Sequence, residues 1–515
     1  MPTAVELLAA DFGTLPDLIR AHAADQPDKI AVAEVGATID YAGLDAALDA
    51  VAAALQREGI AQRTAVALVG APSIRYCCVF LGALRAGCIP TPLAPSSSGP
   101  QLAAMIADCA APVVFLDADA AATLGDEALT AQRIALDDSP AGLAYAEFVR
   151  ANETPQPVAI APTDPFNIIY SSGTTGTPKG IVQSHAMRWQ HLSRNAAAGF
   201  GDAVTMIATP LYSNTTLVTF LPTLGWGGTV VLAGKFDARS YLDLAQTHHA
   251  THTMLVPVQY QRLMALDDFD SYDLSSFRLK TCTSAPFSAA LKADVVARWP
   301  GLLVEYYGMT EGGASCALNC TAHPDKLHTV GQPMPGHTIK LIDDAGREVA
   351  AGETGEVVGR SGAMMNGYFG RAEATAEAEW RDADGHRYIR HGDVARFDDD
   401  GFLILMDRKK DLIISGGFNI YPSDLEAVLS RHPAVADCAV IGVASAQWGE
   451  TPVGFYVPHP GVGASIADIL ADTNAQLGKT QRLSALHATA DLPRSAIGKV
   501  LKRELRDRLA AQPSA

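Results

Sequence analysis

A strand-like apolar run, Phe166–Tyr170 (FNIIY), empties into Ser171–Gly180 (SSGTTGTPKG), ten residues with three glycines, five hydroxyl side chains, one lysine and no acid. A helix-like run begins near Ser184. A strand that ends this way presents a loop whose backbone N–H groups can converge on an anion. Glycine lets those groups approach, the hydroxyls add donors, and Lys179 adds a point charge, so polyphosphate is the ligand this loop suits. The spacing is not the Walker pattern, in which Lys and a hydroxyl directly follow the second glycine. An ordinary P-loop NTPase fold is therefore not expected. A flexible Ser/Gly/Thr linker is the competing reading of these ten residues taken alone.

The surrounding chain alternates helical and strand-like patterns. Tyr41–Glu58 and Ser73–Ala86 read as helices, Thr64–Leu68 and Ala111–Leu116 as strands. Beyond the loop, Val204–Thr209, Gly228–Leu232 and Thr253–Val256 read as strands, with Asp237–His249 a helix between the last two. This rhythm predicts an α/β fold of mostly parallel sheets with helices on their faces. From Gly331 to Leu405 the texture changes to short strands and Gly/Asp turns, which predicts a small β-barrel or β-rich lobe. A boundary is expected at Asp407–Asp411 (DRKKD), dividing the chain into 1–407 and 408–515. Past it, Ser423–His432 reads as a helix, Asp437–Val443 and Thr451–Val457 as strands, and Lys499–Ala510 as a closing helix.

At 515 residues the chain exceeds one ordinary core, in keeping with two or more domains. A net charge of −17 argues against nucleic acid or an anionic membrane as partner. From Arg408 onward, 12 Lys/Arg face 10 Asp/Glu, a balance of +2 that leaves −19 for the preceding part. The C-terminal module can thus tolerate an anionic ligand at its face. The eight cysteines include no CxxC pair; Cys77 and Cys78 read as core, and Cys316 and Cys320 lack partners for a zinc set. Reduced thiols, no leader segment and a cytoplasmic location are expected. The longest uncharged run, Ala203–Gly234, is broken by Pro210, Pro222, Gly225, Gly227 and Gly228, so strands and turns of a buried sheet are expected there rather than a membrane span.

Three further clusters carry chemistry. Tyr306–Glu311 (YYGMTE) follows a strand-like run; its aromatics beside a glycine suit a base, and Thr310 and Glu311 offer hard oxygens to Mg²⁺–phosphate. A strand end with an exposed acid would read the same way. In Tyr388–Asp393 (YIRHGD), Asp393 follows a glycine turn, where an Asp can grip ribose hydroxyls or simply cap the turn. In Pro493–Lys499 (PRSAIGK), Lys499 can swing its charge toward a forming acyl phosphate, or be a solvated lysine at a helix start.

These motifs stand in one order together with Asp407–Glu426 (DRKKDLIISGGFNIYPSDLE). In that order the chain resembles the adenylate-forming superfamily of acyl-CoA synthetases, peptide-synthetase adenylation domains and beetle luciferases. The likeness spans essentially the whole chain. It implies a large N-terminal domain of two mostly parallel α/β sheets plus a small β-barrel lobe, followed by a small mobile α+β domain. It implies an acyl-adenylate made from ATP and a carboxylate with Mg²⁺, the acyl group then passing to a thiol such as that of CoA. By the same resemblance, Ser171, Ser172, Gly173, Thr174, Thr175, Gly176, Thr177 and Lys179 hold phosphates, with Thr175 among the catalytic groups. Ser284, Ala285, Pro286, Tyr307, Gly308 and Thr310 enclose the nucleotide, and Asp393 and Arg408 hold its ribose. Glu311 binds the metal, Lys499 is the catalytic lysine of adenylation, and Lys410 is the hinge. Ser415, Gly416 and Gly417 line the path of CoA's pantetheine arm, where a missing side chain leaves room for a thin thiol.

Many carboxylate–CoA ligases carry Pro-Leu-aromatic-His near mid-chain. Here the stretch is Pro210-Leu211-Tyr212-Ser213-Asn214, with Ser213 in the His place, so a gating role borrowed from relatives does not transfer. Tyr212, Ser213, Gly308 and Met309 are the expected acyl-pocket residues, and Trp226 reads as core before it reads as pocket. Pro210–Val218 holds no acid to grip an α-amino group, which argues against an amino-acid substrate. The expected enzyme is a free-standing, AMP-forming carboxylate–CoA ligase for a hydrophobic aromatic or medium-chain acid. A stand-alone adenylating enzyme that loads a carrier protein is the alternative, and a nucleotide-binding regulator without catalysis is a third reading. A homodimer stays an open expectation.

Overall fold

The computed structural model describes residues 2–511 apart from 171–177, 194–197, 416–417, 446, 479–480 and 496–497. The chain separates into two compact units. The first comprises Met1–His328, Pro333–Thr338 and Gly359–Ile389; the second comprises Thr329–Gln332, Ile339–Val358 and Arg390–Ala515.

In the first unit, the largest sheet orders Cys316–Asn319, Leu302–Tyr307, Leu279–Cys282, His252–Leu255, Val204–Ile207, Thr229–Leu232, Ile30–Glu34 and Ala37–Asp40 side by side. Its six central strands pair in parallel and only the outer strands reverse. A second, wholly parallel sheet orders Ile89–Leu93, Ala65–Val69, Val113–Leu116 and Gln132–Ala135. Parallel strands need crossovers, and helices supply them. Helix Tyr41–Arg57 starts where Asp40 accepts the Gly43 N–H at 2.7 Å, and it buries Tyr41, Leu44, Leu48, Val51 and Leu55 at helical spacing. Helix Ile74–Arg85 starts at the Ser73 cap and buries Cys77 and Cys78 in the same core.

The helix expected near Ser184 is His185–Ser193; strand Gly180–Ser184 comes before it and pairs antiparallel with Pro165–Tyr170. The apolar and β-branched content of Gly180–Ser184 (GIVQS) favours extension once a partner strand is beside it. The run Ala203–Gly234 holds not only strands but a buried helix, Asn214–Gly225, with Pro222 inside it. Its threonines supply local bonds, as when Thr223 Oγ1 donates to the Thr219 carbonyl at 2.8 Å. Among the described residues no helix is long and apolar enough to cross a membrane.

The second unit contains strand Leu403–Arg408 and most of strands Thr338–Ile342, Gly355–Arg360 and Arg387–Phe397, and a second sheet ordered Phe418–Ile420, Ile413–Ser415, Gly449–Pro458 and Val435–Ser445, with Ala485–Ala488 parallel to Gly449–Pro458. Alternate residues of the two long strands serve two cores. Val440 and Tyr456 pack with Leu425, Leu429 and Ile469, while Ala439, Ile441 and Phe455 pack with Leu492 and Leu505. Helices Pro422–Leu429 and Ile466–Gln476 cover one face and Lys502–Ala510 the other. Lys499 therefore precedes the last helix instead of opening it.

Candidate active site

Strands Pro165–Tyr170 and Gly180–Ser184, which flank the phosphate-loop residues in sequence, pair antiparallel, and strand Gly367–Tyr368 lies along the second, with Gly367 opposite Val182 and Tyr368 opposite Ile181. This places Tyr368 beside two expected site residues. Its hydroxyl donates to Glu311 Oε1 at 2.9 Å, and Lys179 Nζ stands 5.1 Å from its ring centroid. Burial, and then the Glu311 carboxylate, push the phenol's pKa up, so the hydroxyl keeps its proton and remains a donor.

Glu311 is held from its backbone as well. Its carbonyl accepts the Met365 N–H at 2.8 Å, and Gly312 bridges to Met364. Gly312 has φ +79°, and a Cβ there would stand 1.9 Å from the Ala363 carbonyl oxygen, so only glycine fits the turn after Glu311. Met309 packs with Ile181, Met365 and Ile389 in a small apolar cluster beneath this turn. Tyr307, buried at 8 % exposure, ends strand Leu302–Tyr307, and exposed Gly308 and half-buried Thr310 continue from it.

Ser284 has φ +83°, a left-handed conformation rare for a residue with a side chain, and its hydroxyl bonds to Thr215 Oγ1. Ala285 is half-buried and Pro286 exposed beside it. Thr215 belongs to the helix that Ser213 caps, the Ser213 Oγ accepting the Thr215 N–H at 3.3 Å. Ser213 thus has a structural reason to be there, and half-buried Tyr212 precedes it. Trp226 lies past the far end of this helix and donates to the Leu192 carbonyl at 2.8 Å while packing on the main core, in line with the core reading.

The second unit gathers Asp393, Arg408, Lys410 and Lys499. Asp393 is not on a turn. It lies within strand Arg387–Phe397, directly opposite Arg408 on Leu403–Arg408, and Arg408 Nε donates to its Oδ1 at 2.7 Å. Gly392, at φ +68°, directly precedes Asp393. Lys499 is half-buried and, among the described residues, makes no ion pair within 4.0 Å. Burial first, then the Arg408 charge, push its pKa down to about 8, with Asp393 opposing. Burial also lowers Lys410. The Lys499 turn is pinned by Arg494, which donates to the Gly498 carbonyl at 2.6 Å and to Asp437 Oδ2 at 2.6 Å. Ser415 pairs with Phe418 and Gly449, and Ile414, Phe418 and Trp448 around it are exposed.

Comparison with known proteins decides the family. The family described as AMP-binding enzyme matches residues 19–369, and the AMP-binding enzyme C-terminal domain matches residues 424–499. The chain belongs to the AMP-binding enzyme family. A feruloyl-CoA synthase of Amycolatopsis sp is 34% identical over 487 residues, covering 94% of this chain and 96% of its own. An indoleacetate–CoA ligase of Aromatoleum aromaticum is 31% identical over 513 residues, covering 96% of this chain and 98% of its own. The crystal structure of ATP-bound MatB from Rhodopseudomonas palustris superposes with a TM-score of 0.85 at 28% identity, over 96% of this chain and 99% of that one.

As an AMP-binding enzyme, the protein is an acid–thiol ligase that forms AMP and pyrophosphate, with ATP, Mg²⁺ and CoA as its small-molecule requirements. The donor at the expected metal position suits Mg²⁺: a carboxylate is a hard oxygen ligand, and Tyr368 orients that of Glu311. Ser171, Ser172, Gly173, Thr174, Thr175, Gly176, Thr177, Gly416 and Gly417 lie outside the described residues. Two residues escaped sequence reasoning. Tyr368 stands 57 residues from Glu311, and no local pattern links them. Arg494 lies inside the PRSAIGK motif, but its partner Asp437 is 57 residues away.

Proposed function

We propose that this AMP-binding enzyme activates an aromatic carboxylic acid and passes it to CoA. The observation that carries the substrate class is the likeness, over at least 94% of both chains, to relatives named for ferulate and indoleacetate. The lining segment Pro210–Val218, apolar and hydroxyl-bearing with no acid, supports it.

In this reading the carboxylate attacks the α-phosphate of ATP in line and pyrophosphate leaves. Both reactants are anions, so the protein must offset charge while it orients them. Lys179, with Ser171–Thr177, takes the β- and γ-phosphates. Ser284, Ala285, Pro286, Tyr307, Gly308 and Thr310 enclose the adenine side, and Asp393 with Arg408 takes the ribose. Glu311 holds Mg²⁺, which when bound neutralises charge on the phosphates. Lys499, which has no ion-pair partner among the described residues, can spend its charge on the bridging oxygens as they develop negative charge in the transition state. Tyr212, Ser213, Gly308 and Met309 border the acyl group. For the second step we assign a functional boundary at 407/408 with Lys410 as hinge, and Ser415, Gly416 and Gly417 as the lining of the thiol's approach. A cytoplasmic, homodimeric enzyme belongs to the same reading; light scattering on the purified protein tests the assembly.

The direct test is pyrophosphate release from ATP over ferulate, 4-coumarate, indoleacetate and short-, medium- and long-chain fatty acids, each with and without CoA. Turnover with the aromatic acids that needs CoA and yields the acyl-CoA by mass is expected. Turnover confined to aliphatic acids overturns the substrate class. A single stoichiometric burst unaffected by CoA overturns the acceptor.

A further inference from the structure

Arg188, on helix His185–Ser193, is 1% exposed. Among the described residues no carboxylate pairs with it; its partners are three amide oxygens and, through Cζ at 5.8 Å, the ring of Phe166. Taking a guanidinium out of water without a counter-charge is costly, and an apolar side chain of similar length would fill the space without that cost. Stability therefore does not account for this arginine.

Its contacts do. Nε donates to Asn167 Oδ1 at 3.2 Å, and Nη2 donates both to Gln183 Oε1 and to Asn214 Oδ1, the latter at 2.9 Å. Because Arg188 occupies the oxygen end of the Gln183 amide, the nitrogen end is left to donate, and it does so to the Thr310 carbonyl at 2.7 Å. Three segments meet on one fork, and Gln183 links a fourth. Asn167 lies on the strand that enters the phosphate loop, and Gln183 on the strand that leaves it. Asn214 opens the helix behind Tyr212 and Ser213, and Thr310 precedes Glu311.

We propose that Arg188 is a positioning residue for the adenylation step, holding the phosphate-loop hairpin, the acyl-pocket helix and the Thr310–Glu311 turn in one register. The role rests on the assignment of these segments under the proposed function. Lysine cannot replace it, since a single ammonium supplies a charge but not a planar fork that spans Asn167, Gln183 and Asn214.

Two variants test this on ferulate, or on whichever acid of the panel the wild-type enzyme turns over best. Arg188→Lys is expected to lower ATP–pyrophosphate exchange about 100-fold through kcat, the scale of a small misplacement of reacting groups. Transfer of the acyl group from supplied acyl-adenylate to CoA should stay near wild type. Gln183→Glu gives the buried guanidinium a counter-charge but turns the Thr310 contact into one between two acceptors. It should melt no lower than wild type and still lose exchange. Wild-type exchange in Gln183→Glu, or equal loss of both half-reactions in Arg188→Lys alongside a lowered melting temperature, overturns the proposal. Failure of the function reading would appear separately, as a wild-type enzyme inert toward every acid.

Discussion

The Tyr368 hydroxyl donates to Glu311 Oε1 at 2.9 Å while the same ring lies 5.1 Å from the Lys179 ammonium. One side chain thus aims the carboxylate at the expected metal position and backs the lysine of the phosphate loop. Tyr368→Phe keeps the ring and removes only the hydroxyl. The Mg²⁺ concentration giving half-maximal adenylation should rise about 10-fold, as for loss of other groups that orient a metal ligand, with little change in melting temperature. An unaltered Mg²⁺ titration would show that Glu311 needs no such support.

Lys499 ties activity to pH. Its pKa is pushed down to about 8, and the charged form is the one that offsets developing phosphate charge. Adenylation by free enzyme should therefore fall as pH rises through about 8. Stability moves the other way: the unfolded chain keeps this proton up to the ordinary lysine value of 10.5, so between about 8 and 10.5 the group's contribution favours folding more as pH rises. A kcat/KM profile measured beside a melting curve separates the two. Lys499→Ala should abolish adenylation, remove the limb near pH 8 from any residual rate, and spare CoA attack on supplied acyl-adenylate.

Gly312→Ala should be severe. Its Cβ would stand 1.9 Å from the Ala363 carbonyl oxygen, at a φ of +79° that side chains avoid. The turn carrying Glu311 must then shift away from residues 363–365, and thermal unfolding together with Mg²⁺-dependent pyrophosphate release would both register it. A variant with wild-type values for both would mean that the segment after Ala363 yields freely.

Arg494→Ala should free the Lys499 turn by removing the bonds to Gly498 and Asp437. A loosened lysine costs kcat in adenylation, about 10-fold or more, with the KM for ATP little changed. A raised KM at constant kcat would instead place Arg494 in nucleotide binding.

Local patterns account for much of the first unit. The helices Tyr41–Arg57 and Ile74–Arg85 and the strands of the parallel sheets follow from apolar spacing and capping residues a few positions apart, interactions a reader of the sequence can see. The helix Asn214–Gly225 was not legible, because ten of its twelve residues are buried and no polar face marks its period. The pairing of Gly180–Ser184 with Pro165–Tyr170 was not legible either, because the partner lies across a loop and pairing energy is not a local property.

By itself the sequence determined the α/β plan, the order of the motifs and the chemical types present at the site: a glycine- and hydroxyl-rich loop, an acid after YYGMT, an Asp, and a lysine after a glycine. These are properties of neighbouring residues, and neighbours in sequence are neighbours in space. Tertiary structure alone decided that Asp393 stands mid-strand against Arg408, that Tyr368 reaches Glu311, that Arg494 pins the Lys499 turn, and that Arg188 gathers three amides. Each of these depends on strand register or on a side chain crossing between distant segments, and such contacts form only once the packed core fixes where those segments lie.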